Sequence, residues 1–191
     1  KKQSLGAKVD IRETGCPGFC EKGPIVVIYP EEICYIQVTP QDAPEIVAQT
    51  IIGKKVIDRL VYTDPKTGEK AVHESEIPFY NKQMRLVIGN NGRIDPRSID
   101  DYLAVGGYSA LAKVLHTLSP EQVIKEVTDS GLRGLSGGGF PTGRKWQAAR
   151  IAEGDTKYII CNCHEGDPGC FADRRIMEAN PHNILEGMII G

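Results

Sequence analysis

Gly131-Leu132-Arg133-Gly134-Leu135-Ser136-Gly137-Gly138-Gly139-Phe140-Pro141-Thr142-Gly143-Arg144-Lys145-Trp146 places six glycines beside three cations within sixteen residues. Glycine accepts positive φ and leaves its N–H uncovered, so a loop of this composition brings bare backbone up to an anionic group such as a phosphate. The residues after Gly143 read as a helix, whose N-terminus adds partial positive charge at the same place. The residues before the loop, Ser119 to Ser130, also read as helical.

Two common phosphate loops do not fit. Gly138 to Gly143 has the P-loop spacing, but Arg144, Lys145 and Trp146 follow where Lys and a Mg²⁺-binding Ser or Thr belong. A dinucleotide fingerprint should follow a strand, and no clean G-x-G-x-x-G runs through the stretch. The remaining alternative is a flexible surface linker, against which stand the embedded Phe140, Pro141, Arg144 and Trp146.

A second motif lies downstream, Tyr158-Ile159-Ile160-Cys161-Asn162-Cys163-His164-Glu165-Gly166-Asp167-Pro168-Gly169, followed by Asp173-Arg174-Arg175-Ile176-Met177-Glu178 and Pro181-His182. The two motifs together resemble the NADH-oxidising, FMN-binding flavoprotein subunit of respiratory complex I and its relatives in NAD(P)-linked hydrogenases and formate dehydrogenases. The family loop reads G-L-R-G-R-G-G-A-G-F-P-T-G-x-K-W, from which this chain departs at Leu135, Ser136 and Gly138. The second family motif reads Y-x-x-C-N-A-D-E-G-E/D-P-G, so His164 stands where Asp is usual.

Upstream, Gly15-Cys16-Pro17-Gly18-Phe19-Cys20 sets two cysteines four apart between strand-like segments, a spacing that lets two thiolates converge on one iron. This pattern resembles the second ligand pair of a thioredoxin-like 2Fe-2S domain, and no cysteine precedes Cys16 to supply the first pair. The resemblance therefore implies a fragment that starts inside that domain.

Composition sets outer limits. With 191 residues, 40% hydrophobic, 25% charged and a net charge of −2, the chain can form one medium core or two small ones, and nothing points to nucleic acid. No signal peptide and no apolar run of about 18 residues is present, so direct membrane insertion is not expected and a cytoplasmic location is. Six cysteines, clustered at Cys16/Cys20 and Cys161/Cys163/Cys170, read as metal or redox usage more readily than as a disulfide framework.

The fold expected is α/β: a partial thioredoxin-like ferredoxin domain over 1–53, a linker over 54–94, and the start of a complex I-type FMN/NADH-binding domain over 95–191. In the first part, strands are expected at Lys8–Arg12, Pro24–Tyr29 and Ile33–Val38, then a helix opened by Thr39-Pro40-Gln41-Asp42 and stopped by Gly53. In the third, helices are expected over Pro96–Val105, Tyr108–Leu118, from Ser119, from Gly143, from Ala172 and over Asn183–Ile190, with a strand at Lys157–Cys161. Trp146 is expected in the core, and His73, His116 and His182 at the surface or at helix caps.

The resemblance implies an electron-entry module in which hydride passes from NADH or NADPH to FMN and single electrons go on to iron–sulfur centres. Gly134, Ser136, Gly137 and Gly139 would approach the FMN, Lys145 would pair with its phosphate, and Asn162, His164 and Glu165 would meet flavin polar edges. Phe140 resembles the aromatic that stacks on the NAD adenine, although its usual partner position holds Ala148, and Asp167 stands where the family has an acid near the dinucleotide. Cys16 and Cys20 would be half of the 2Fe-2S site, with 4Fe-4S or other clusters elsewhere. Partners implied are a small 2Fe-2S ferredoxin-like subunit and an iron–sulfur, hydrogenase or dehydrogenase subunit. Two other readings stand beside this one: an assembly or docking piece without bound cofactor, and a metal site at Cys161-x-Cys163-His164…Cys170.

Overall fold

The computed structural model describes residues 9–135 and 137–191. The chain divides into two compact units, Cys16–Gly89 and Asn90–Gly191 together with residues 9–15.

In the first unit, strand β1 (Val26–Ile28) pairs antiparallel with β2 (Ile33–Tyr35), matching Val27 with Cys34. A second pair, β3 (Tyr62–Thr63) and β4 (Lys70–Ala71), meets β2 through bridges at Ile33–His73 and Tyr35–Val61. All three residues of β2 are buried, and because side chains alternate across a strand its two faces serve two different clusters. Cys34 joins Phe19, Tyr62, Ala71, Ile77 and Tyr80, while Ile33 and Tyr35 join Ile46, Ile57, Leu60 and Val61. Residues 54–89, expected as a linker, thus supply much of the material on both faces of β2. The turns in this stretch separate short buried segments.

The helical segment begins where Thr39 and Pro40 predict. A tight turn over Pro40–Asp42 runs into α1 (Ala43–Glu45) and then a π-helical stretch, Ile46–Ile52, ending at Gly53. Asp42 accepts from Thr39 N and Thr39 Oγ1, both at 2.7 Å, and pairs with Arg59 at 2.7 Å. Buried Ile46 and Thr50 face the sheet. Tyr35 donates to Thr50 Oγ1 (2.6 Å) and accepts from Ile57 N (2.9 Å), while Thr50 donates to Lys55 O (3.0 Å). One phenol therefore joins strand, helix and the following turn.

The second unit is helical: α3 (Ile99–Ala104), α4 (Ser109–Thr117), α5 (Pro120–Asp129), α6 (Thr142–Ile151), α7 (Ala172–Ala179) and α8 (Pro181–Ile190), after a short α2 (Pro78–Asn81) in the first unit. The α5 start follows the sequence closely: Ser119 Oγ accepts from Gln122 N, Gln122 Oε1 accepts from Ser119 N, and Pro120 takes the first helical position. Helix α5 packs on α6, and α8 packs on both α4 and α7. Glu186 of α8 is buried and accepts from Tyr102 Oη (2.5 Å), Tyr108 N (2.9 Å) and Leu111 N (3.0 Å), closing the start of α4. His182, expected at the surface or a cap, instead lies against Tyr102 and bonds the Tyr108 hydroxyl at 2.9 Å. Trp146 is half-buried.

Two expected strands are absent among the described residues. Residues 9–12 carry no strand, and Lys8 lies outside those described. Lys157–Cys161 is irregular, with Tyr158 and Ile160 exposed. A strand exists through its ladder, and residues 157–161 make no backbone bond to another described segment. Lys157 instead donates to Ala152 O and Gly154 O, both at 2.7 Å, behind the end of α6.

Tyr35→Phe leaves Ile57 N buried without its acceptor and should cost about 1–3 kcal/mol in urea unfolding. Asp42 is held down to about 2, below its ordinary 3.8, first by the Thr39 N–H, then by the Thr39 hydroxyl and Arg59. A carboxylate depressed in the folded state stabilises above its unfolded value and loses that effect as pH falls through the folded one. Stability should therefore drop between roughly pH 4 and pH 2 more steeply in the wild type than in Asp42→Asn, as followed by circular dichroism.

Candidate functional site

The glycine loop is a closed structure. Arg133 and Pro141 form an antiparallel bridge, Thr142 N donates to Leu132 O (2.9 Å), and Gly134 N donates to Phe140 O (3.0 Å). The Arg133 guanidinium reaches across the loop to Gly139 O at 2.9 Å. At the tip, Gly137 and Gly139 have φ of 88° and 57°, conformations costly for any other residue. A Cβ at Gly137, Gly138 or Gly139 would meet nothing within 4 Å. No hydrogen bond between described residues uses the N–H of these three glycines. Ser136, expected in the site, lies outside the described residues.

Packing fixes where this loop ends. Helix α6 starts at Thr142, and a Cβ on buried Gly143 would stand 2.1 Å from Thr128 Oγ1 and 2.8 Å from Thr128 Cα. Helix α6 can thus approach the end of α5 only with glycine there. Beyond it, Arg144 and Lys145 are exposed, and the Arg144 guanidinium lies 5.7 Å from the centre of the Phe140 ring, itself 54% exposed. The result is an open tip of backbone N–H groups at the start of a ten-residue helix, with two cations in its first turn.

The second motif forms a separate loop that tightens around Glu165. Its carboxylate accepts from Asp173 N (2.8 Å), Arg174 N (3.3 Å) and the Cys170 thiol (3.4 Å), capping α7. The Asp173 N–H above all, with Arg174 N and Cys170, holds Glu165 below the usual carboxylate range against the effect of desolvation. Asn162 Oδ1 accepts from His164 N at 3.0 Å, and Asp167 O accepts from Cys170 N at 3.1 Å. Asn162, His164 and Asp167 are exposed. Gly134, Gly139, Phe140 and Lys145 are gathered at one loop and Asn162, His164, Glu165 and Asp167 at the other. Among the described residues no hydrogen bond, ion pair or ring contact joins the two. Sequence reading missed Arg133 as the strut of the first loop and Cys170 as a contact of Glu165. Arg133 had a signal in being the cation inside the glycine run.

In the first unit, Cys16 Sγ and Cys20 Sγ lie 3.8 Å apart, and Gly18 N donates to Cys16 Sγ at 3.3 Å. Two thiolates bound tetrahedrally at about 2.3 Å from one metal stand about 3.8 Å apart, so this pair has the separation of metal ligands. Cys34 does not belong with them, since burial, with Glu74 adding, pushes its thiol up to about 12. No group of three or more His, Cys, Asp or Glu side chains able to hold a metal occurs among the described residues.

A family model described as the Nuo51 FMN-binding domain matches residues 127–191, from the end of α5 to the last residue. Over this segment the chain is similar to that family. The chain is 53% identical over 110 residues to the NADP-reducing hydrogenase subunit HndC of Solidesulfovibrio fructosivorans, a match covering 58% of this chain and 22% of that protein. It is 52% identical over 93 residues to an NADH-quinone oxidoreductase subunit of Aquifex aeolicus, covering 49% and 21%. Similarity to the NAD-reducing hydrogenase HoxS subunit alpha of Cupriavidus necator is 30% over 178 residues, 93% of this chain and 27% of that one. The chain thus spans about a quarter of the length of the curated relatives it matches. No helix among the described residues is long and apolar enough to cross a membrane.

The matched segment gives its loop a sharp packing test. Alanine at an ordinary helical glycine usually stabilises, but Gly143→Ala must push against the Thr128 backbone and should lose about 1–3 kcal/mol in denaturant unfolding.

Proposed function

We propose that this chain is part of the electron-entry flavoprotein of a multisubunit NAD(P)H-linked oxidoreductase and holds FMN on its glycine loop. The observation that carries this reading is the open tip at Gly137–Gly139, whose N–H groups make no hydrogen bond among the described residues and whose backbone no side chain covers, just before the start of α6 and the exposed Lys145. Such a tip fits a phosphate dianion.

In this reading Gly134, Ser136, Gly137 and Gly139 surround the FMN, Lys145 neutralises its phosphate, and Arg133 keeps the tip from collapsing through its bond to Gly139 O. Asn162, His164 and Glu165 contact flavin polar edges, Phe140 offers a half-exposed ring to the adenine of NAD(H) or NADP(H), and Asp167 lies near the dinucleotide. Bound FMN supplies the chemistry of taking two electrons from a nicotinamide cofactor and passing them on singly. The protein's share is placement and electrostatics: Glu165 is kept ionised and oriented by the amides at the start of α7. Cys16 and Cys20 would provide half of a thioredoxin-like 2Fe-2S site, with further iron–sulfur centres in other parts or partner subunits. The names of the relatives, each a subunit of a hydrogenase or a quinone oxidoreductase, support partners of those two kinds.

Lys145→Ala should weaken FMN binding ten- to a hundredfold, the loss of a charge-assisted phosphate contact of roughly 1.5–3 kcal/mol, as measured by fluorescence titration of the flavin-free protein with FMN. Unchanged affinity would remove Lys145 from the phosphate site.

A further inference from the structure

The irregular Cys161-Asn162-Cys163 segment carries chemistry that the flavin reading does not use. Cys161 Sγ and Cys163 Sγ are 3.4 Å apart, inside the range of a thiol hydrogen bond. In an extended strand, residues two apart have Cα atoms up to about 6.6–7.2 Å from each other, at the upper edge of what a disulfide spans. Here residues 157–166 make no backbone-to-backbone hydrogen bond with any described residue, so the segment can contract without breaking a ladder. Closing the sulfurs from 3.4 Å to bonding distance, about 2.05 Å, is a movement of little more than ~1 Å.

The two sulfurs are not equivalent. Cys161 is exposed, whereas Cys163 is half-buried and lines a shallow groove with Glu165, Cys170, Phe171 and Arg174. Its proton is retained first by the hydrogen bond to Cys161, then by desolvation and the charges of Asp173 and Glu165. Cys170 is engaged elsewhere, donating to Glu165 Oε1 at 3.4 Å. An outer attacking sulfur and an inner resolving sulfur in contact with it form the arrangement needed for thiol–disulfide exchange.

We propose that Cys161 and Cys163 form an exchange site for small-molecule disulfides of the glutathione type. The Cys161 thiolate attacks one sulfur of the disulfide, forming a Cys161 mixed disulfide and expelling one thiolate. The Cys163 thiolate then attacks Cys161 Sγ, breaking the mixed bond, forming Cys161–Cys163 and releasing the second thiolate. The cysteine pair loses two electrons and two protons, and the small disulfide gains both. This site does not depend on flavin being bound.

The test is equilibration of the full chain with glutathione and glutathione disulfide at a series of ratios, acid quenching, and mass analysis of the tryptic peptide 158–174. That peptide should become two hydrogens lighter as the disulfide share rises, in the wild type and equally in Cys170→Ser. Cys163→Ser should instead carry a glutathione adduct at Cys161. Loss of the two-hydrogen change in Cys170→Ser, its persistence in Cys163→Ser, or a wild-type peptide unchanged at every ratio would each overturn the assignment. Flavin content, read separately by absorbance, should not decide the peptide result.

Discussion

Helix α6 can begin where it does because Gly143 has no side chain. The helix starts almost in contact with Thr128 at the end of α5, and that approach shortens the path the intervening chain must cover. The chain between the two helices is then forced into a narrow closed loop, with Arg133 and Pro141 paired at its base. At Gly137 and Gly139 only residues tolerant of left-handed backbone fit, which explains glycine at those two positions better than flexibility does. The cations follow from the same constraint: Arg133 is spent holding the loop in shape, whereas Lys145 and Arg144 sit on the first helical turn with their charges toward solvent.

The first unit is organised by burial on both faces of one short strand. Three residues of β2 cannot form a domain alone, so material from both sides of the sequence has to cover it, Phe19 from before and residues 57–80 from after. Tyr35 adds direction to an otherwise nonspecific apolar cluster, because its hydroxyl has two partners at fixed positions on the helix and the turn.

Helix starts were the most legible part of the sequence. Ser119-Pro120-Glu121-Gln122 and Thr39-Pro40-Gln41-Asp42 each encode their own cap chemistry within four residues, and both act as that chemistry requires. The role of residues 54–89 was illegible because burial there comes in pieces of one or two residues, too short to carry a period. Lys157–Cys161 reads as a strand because its composition is right, but a strand also needs a partner, and composition says nothing about one. At the site, the glycine loop announced itself through spacing, while Cys170 and its contact with Glu165 depend on a turn that brings residues five apart together.

The Glu165 carboxylate has a further consequence for whatever docks there. Its oxygens are already committed to the amides of Asp173 and Arg174, so the group cannot swing to suit a visitor. The rotational freedom that a carboxylate ordinarily surrenders on recognition has been given up during folding, which leaves a stiff, ionised acceptor of fixed aim. A guest must bring its donors to that direction, and a misfit of shape cannot be absorbed by this side chain. Selectivity at such a point is geometric before it is energetic, and helix α7 is the frame that keeps the aim.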